Sequence, residues 1–162
     1  MKCFTSKIVH SDRLGGVEHG AVHKPVHDSV AFSFDDAQEL AAVFQGVKPG
    51  YTYGRQVNPT VDALEKKITA MEGGLGSVCF GTGMAAIGTT MFALLRAGDH
   101  VVSSAFLFGN TTSLFNSFGR QGLDVSFVDA TDVANVANAI TAQTKMVFVE
   151  TIANPRTQIA DL

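Results

Sequence analysis

Gly81-Thr82-Gly83-Met84 is the segment of this sequence best suited to hold an anion. It lies between a short apolar run, Ser77 to Phe80, and a helical stretch from Met84 to Leu95. Glycines there let the backbone come close to a ligand, and the free amides of the helix's first turn face it. The shape suits a phosphate. A glycine turn is also how any strand is joined to any helix, and with Ala85 and Ala86 the letters match the dinucleotide fingerprint in its form ending in Ala. A nicotinamide or flavin domain would then need an acidic residue at the end of the next strand, near Ser104. Asp99 comes before that strand and Ser103-Ser104-Ala105 carries no carboxylate, so the dinucleotide reading lacks its ribose partner.

A second group is Tyr51-Thr-Tyr53-Gly-Arg55, followed by Gln, Val, Asn58, Pro59 and Thr60. It sets a phenol and a guanidinium two residues apart in a loop just ahead of a helix, and Arg is suited to a bidentate phosphate contact. A surface loop with a Tyr packed on it is the plainer account of the same letters. His19, His23 and His27 recur every four residues, the spacing of a metal-binding helix face, but Gly20 and Pro25 interrupt any helix there, so no metal site is expected. Cys3 and Cys79 are too few and too far apart for a disulfide framework or a zinc cluster, and Cys79 reads as a small core residue.

These residues need elements to position them. Up to about Val30 the chain is rich in Gly, His and Ser without periodicity, which predicts an extended arm. Asp35 and Asp36 can cap a helix whose apolar positions Ala37, Leu40, Ala41 and Phe44 fall at helical spacing before Gly46. Asn58-Pro59 starts a helix running to about Met71, because Asn accepts from free amides and Pro fits the first helical position. Its Val61, Leu64, Ile68 and Met71 stripe faces a core, its charges face water, and Gly73-Gly74 stops it. From Ser77 onward short apolar runs alternate with helices: strands over 77–80, 100–104, 125–128 and 146–150, and helices over 84–95, 111–120 and 133–140. That alternation predicts an α/β fold with a parallel sheet and helical crossovers. The 84–95 helix is apolar nearly all round, as a helix laid against a sheet is. Four such strands would leave an open edge and a bare face, so the chain reads as part of a larger domain.

Composition is consistent with a folded core and excludes little else. Of 162 residues 46% are hydrophobic and the formal charge is −3, with no basic cluster longer than Lys66-Lys67. Nucleic acid and anionic membrane are therefore not expected as partners. The N-terminus turns polar at once and no run of about 18 apolar residues occurs, so a soluble cytoplasmic protein is expected.

Taken in order, the motifs are Tyr53-Gly-Arg55 with Asn58-Pro59-Thr60, Glu72-Gly73-Gly74, Thr82 to Ile87, Ala97 to Val101, Phe108-Gly109, and Glu150 to Pro155 with Asn154. The sequence resembles, from about Gly20 to its end, the pyridoxal 5'-phosphate (PLP) enzymes of cysteine and methionine metabolism, the trans-sulfuration family. That family holds cystathionine synthases and lyases, methionine gamma-lyase and the O-acetyl- and O-succinylhomoserine sulfhydrylases. The resemblance implies an aspartate-aminotransferase-type (fold type I) large domain. Residues 1–57 would form an N-terminal arm, short helix and Tyr/Arg loop; residues 58–162 would be the first part of the cofactor-binding domain.

Roles follow from the same resemblance. Gly83 and Met84 would give backbone amides to the cofactor phosphate, and Asn154 would hydrogen-bond its phenolic oxygen. Tyr53 and Arg55 would reach the phosphate of a neighbouring subunit in a homodimer or homotetramer. Phe108 stands where a Tyr is commoner; a Phe can stack on the pyridine ring but cannot move a proton. The O-succinylhomoserine sulfhydrylase branch tends to carry Phe here. The implied activity is therefore a gamma-replacement on an activated homoserine, with cystathionine gamma-synthase or a gamma-lyase as alternatives within the family. Outside it stand a nucleotide-binding oxidoreductase domain and a non-catalytic dimerisation fragment. The family's Schiff-base lysine and the Asp that pairs with the pyridine nitrogen lie beyond the counterpart of Leu162, so no catalytic residue is assigned in this chain.

Overall fold

The computed structural model describes residues 3–13 and 16–162, and the chain falls into two compact units, Met1–Cys79 and Phe80–Leu162. Among the described residues no helix is long and apolar enough to cross a membrane.

In the first unit the expected extended course begins only after Gly20. Before it lie α1 (Phe4–His10) and two single 3-10 turns, Ser11–Arg13 and Glu18–Gly20. His19, His23 and His27 share no helix, since the second turn ends at Gly20. α2 (Ala37–Phe44) starts where Asp36 accepts from the Gln38 amide, and α3 (Pro59–Glu72) starts where Asn58 accepts from Thr60. Gly73 closes α3 at φ 68, a left-handed turn that glycine adopts without a Cβ penalty. α1 and the first 3-10 turn pack on α3, where Ala63 is buried. The apolar segment 77–80 carries no strand ladder among the described residues; the Cys79 amide instead donates to Glu65 Oε1 at 2.8 Å.

In the second unit three parallel strands pair rather than four. β1 (His100–Ser104) lies between β2 (Asp124–Val128) and β3 (Thr144–Phe148), and every residue of β1 is buried. The helices are α4 (Gly83–Leu94), α5 (Gly109–Gly119) and α6 (Val133–Ala139), as the alternation predicts within a residue or two. Val101 aligns with Val125 and Met146 and shares a core cluster with Met91 and Leu95 at the end of α4 and Phe115 and Phe118 of α5. Phe115 is fully buried and meets Phe148 edge-on at 4.9 Å; fully burying such a side chain stabilises by about 1.5–3 kcal/mol. Only one side of α4 is covered, with Met91 1% exposed and Phe92 67%, because a helix on a sheet can turn a single stripe inward. On the opposite sheet face the buried His100 ring bridges all three strands, with Nδ1 2.7 Å from Thr144 Oγ1 and Nε2 3.0 Å from Ser126 Oγ.

Candidate functional site

α4 packs on the sheet and its C-terminal end leads directly into the start of β1. It therefore runs against the strands, and its N-terminus points to their carboxyl ends, where parallel sheets place their sites. The helix starts there because Thr82 is extended (φ −150, ψ 155) and its hydroxyl accepts from the Ala85 amide at 3.0 Å, while its carbonyl accepts from Ala86. That leaves the amides of Gly83 and Met84 without an acceptor among the described residues. Gly83 is exposed, and a Cβ placed on it would meet no atom within 4 Å outside its own helix and chain neighbours, so there is open space beside this turn. Two free donors at the positive end of a 12-residue helix are chemically fitted to a phosphate.

Phe108 and Asn154 also lie beyond the carboxyl ends of strands. Phe108 is the residue before α5, in the connection that leaves β1. Asn154 follows β3 in a loop closed by the bridge between Ile152 and Ile159 and by the Ala153 amide donating to Gln158 O at 2.8 Å. Leu107 and Asn154 line one cavity of about 190 Å³ together with Ala105, Phe106, Pro155 and Gln158. The two loops are joined directly, since Glu150 Oε1 accepts from the Phe108 amide at 3.0 Å. Phe108 is 49% exposed and Asn154 is exposed. Glu150 belongs to a motif visible in the sequence but received no role there; its place just past a parallel strand is the signal that could have singled it out.

Tyr53 and Arg55 belong to the first unit. Tyr53 forms an antiparallel bridge with Ala31, fixed by Phe32 donating to Thr52 O at 3.1 Å and Gly54 donating to Val30 O at 2.7 Å. The Arg55 guanidinium lies over the Tyr53 ring, 5.2 Å from its centroid, a cation–π arrangement that keeps the two together. The end of the loop is pinned by Asn58, whose Nδ2 donates to His27 O at 3.0 Å, while the His27 amide donates to Thr60 Oγ1 at 2.8 Å. Nearby, Tyr51 donates to Asp62 Oδ2 at 2.7 Å. Burial, and then that carboxylate, push the Tyr51 hydroxyl up to about 12. For Asp62 burial acts upward, but hydrogen bonds from Lys66 and Tyr51 outweigh it and hold the carboxyl below its usual value.

A parallel α/β unit with a phosphate-ready helix terminus, an exposed aromatic and a carboxamide at the same end of its strands is the class of protein that seats an anionic cofactor. The chain matches the family described as Cys/Met metabolism PLP-dependent enzyme over residues 5–162, and it belongs to that family. The L-methionine gamma-lyase of Fusobacterium nucleatum subsp. nucleatum is 38% identical over 155 residues, covering 95% of this chain and 39% of that protein. The O-acetyl-L-homoserine sulfhydrylase of Corynebacterium glutamicum is 37% identical over 161 residues, 98% of this chain and 37% of that protein. A crystal structure described as an O-acetylhomoserine (thiol)-lyase from Campylobacter jejuni, holding a pyridoxyl-lysine monophosphate, superposes with a TM-score of 0.86 at 27% identity. It covers 98% of this chain and 39% of that one. The fold is that of the fold type I PLP enzymes. The chain spans about two fifths of the length of the relatives it matches.

Proposed function

We propose that this chain forms the phosphate-binding part of a PLP enzyme that replaces the gamma substituent of an activated homoserine with sulfide or a thiol. The observation that carries this reading is the pair of free amides at Gly83 and Met84 on the terminus of α4. They hold and orient the phosphate. Phe108 would give an apolar face to the pyridine ring, and the Asn154 carboxamide would donate to the ring's phenolic oxygen. When bound, the cofactor supplies an electron sink for carbanion chemistry, and the protein supplies its orientation. Tyr53 and Arg55, locked together by stacking, offer a phenol and a guanidinium to the phosphate of a second subunit. Because Phe108 has no proton to move, proton transfer falls to other groups. The resemblance to the O-succinylhomoserine sulfhydrylase branch, which tends to carry Phe at this position, favours a sulfhydrylase. A gamma-lyase is the second reading, supported by the likeness to the Fusobacterium nucleatum enzyme.

The test is Gly83→Pro. Pro fits the first position of a helix and Thr82 before it is already extended, so the change deletes one amide and leaves α4 in place. Loss of one charge-assisted hydrogen bond is expected to weaken PLP binding, followed by fluorescence titration of the purified chain, by about tenfold or more. Equal affinity in a variant with unchanged circular dichroism would refute the assignment.

A further inference from the structure

The site proposed above gives Glu150 no task. Its Oε1 accepts from the Phe108 amide across 42 residues of sequence, linking the segment after β3 to the start of α5. The carbonyl of Phe108 is bonded as well, accepting from the Thr111 amide at 2.9 Å and from Thr112 at 3.3 Å. On its other side stands Leu107, 8% exposed and part of the core cluster. With both backbone polar groups engaged and its neighbour buried, the direction of the Phe108 Cα–Cβ bond is set even though the ring itself is half in solvent. A side chain that exposed gains little from burial, so the backbone contacts are what fix the point and direction from which the ring projects.

We propose that Glu150 is a positioning residue: its carboxylate fixes the backbone of Phe108 so that the exposed ring stands ready as a platform for the cofactor's ring. The inference rests on the reading of Phe108 as the stacking residue. A platform ordered beforehand loses less conformational freedom when the ligand arrives. A carboxylate ahead of α5 also complements the positive end of that helix. Reach is the controlling property. A Gln keeps both the length and an acceptor oxygen, whereas an Asp keeps the charge and falls one carbon short.

The experiment uses the purified chain and the variants Glu150→Gln, Glu150→Asp and Glu150→Ala, with Phe108→Ala as a reference. Amide hydrogen exchange at Phe108 is measured without cofactor, and PLP affinity is measured by fluorescence. Asp and Ala should speed exchange at Phe108 about five- to tenfold, as loss of a solvent-accessible hydrogen bond does, and should weaken PLP binding by a similar factor. Gln should leave both near wild type, which sets a tether apart from a general need for charge. Unchanged exchange in Asp and Ala overturns the proposal, and so does faster exchange with unchanged affinity while Phe108→Ala binds weakly. If Phe108→Ala binds as wild type, the stacking reading has failed instead, and the exchange data still decide the tether.

Discussion

Replacing Asn58 by Ala should be among the costlier polar changes in the first unit, because one side chain there makes two contacts with different partners. Its Oδ1 caps α3 by accepting from the Thr60 amide at 2.8 Å, and its Nδ2 donates to His27 O at 3.0 Å. Loss of an N-cap costs ~1 kcal/mol. Loss of the second bond leaves a carbonyl short of a donor and costs about 1 kcal/mol more. Summed, the two losses give an expected total of about 2 kcal/mol. For a unit of this size that lowers the melting temperature by roughly 8–16 °C. Asn58→Asp keeps the cap acceptor and a charge suited to a helix N-terminus but replaces the donor to His27 by an oxygen that faces its carbonyl, so it should lose at least about 1 kcal/mol. The chain has no Trp, and its two Tyr are Tyr51 and Tyr53. Tyrosine fluorescence during urea unfolding therefore reports on this loop and its surroundings. A value for Asn58→Ala within about 0.5 kcal/mol of wild type would refute the reasoning.

Two further outcomes follow from charge and distance. The folded-state value of Tyr51 is raised from 10.0 to about 12, so its neutral form adds stability that is fully present below pH 10 and is lost as pH rises through about 12. Urea midpoints measured across that window should fall less steeply in Tyr51→Phe than in wild type, and identical slopes would contradict the raised value that burial and then the Asp62 contact produce. Treatment of the chain with PLP and borohydride should give no stoichiometric label on any single lysine. Among the described lysines, Lys7 stands in the last turn of α1, Lys24, Lys66 and Lys67 pair with Glu18, Asp62 and Asp12, and Lys48 pairs with Glu39. Lys145 is the second residue of β3, so about 10 Å of strand separates it from the carboxyl end of the sheet; a stoichiometric label on it by peptide mapping would overturn this placement of the site.

What could be read from the sequence is what local chemistry dictates. Asn58-Pro59 and Gly73 bound α3, Asp36 starts α2, and the glycines around Thr82 start α4, each because cap geometry involves residues only two to four apart. α1 escaped notice because seven residues without a side-chain cap leave little periodicity to find. The apolar run 77–80 was legible as strand-like, but pairing needs a neighbour, and the carboxylate of Glu65, fourteen residues away, takes the Cys79 amide instead. His100 shows the same limit from the other side: nothing local marks it as the residue joining Ser126 to Thr144, because that depends on the register of three strands.

Glu150 shows how a small boundary error alters a functional reading. The apolar run Met146 to Val149 invites a strand through Glu150, which would place the carboxylate inside the ladder as one more alternating side chain. β3 instead ends at Phe148. A strand side chain is committed to one face of the sheet, whereas a residue just past the end is free to reach sideways to the next loop, and Glu150 does so toward Phe108. In a parallel sheet the residues that leave the carboxyl ends of neighbouring strands converge on one rim. β1 and β3 are neighbours although 39 residues lie between them, so a carboxylate released from one is brought to the aromatic released from the other. Residue types name the candidates for this site, and the order β2-β1-β3 decides which of them meet.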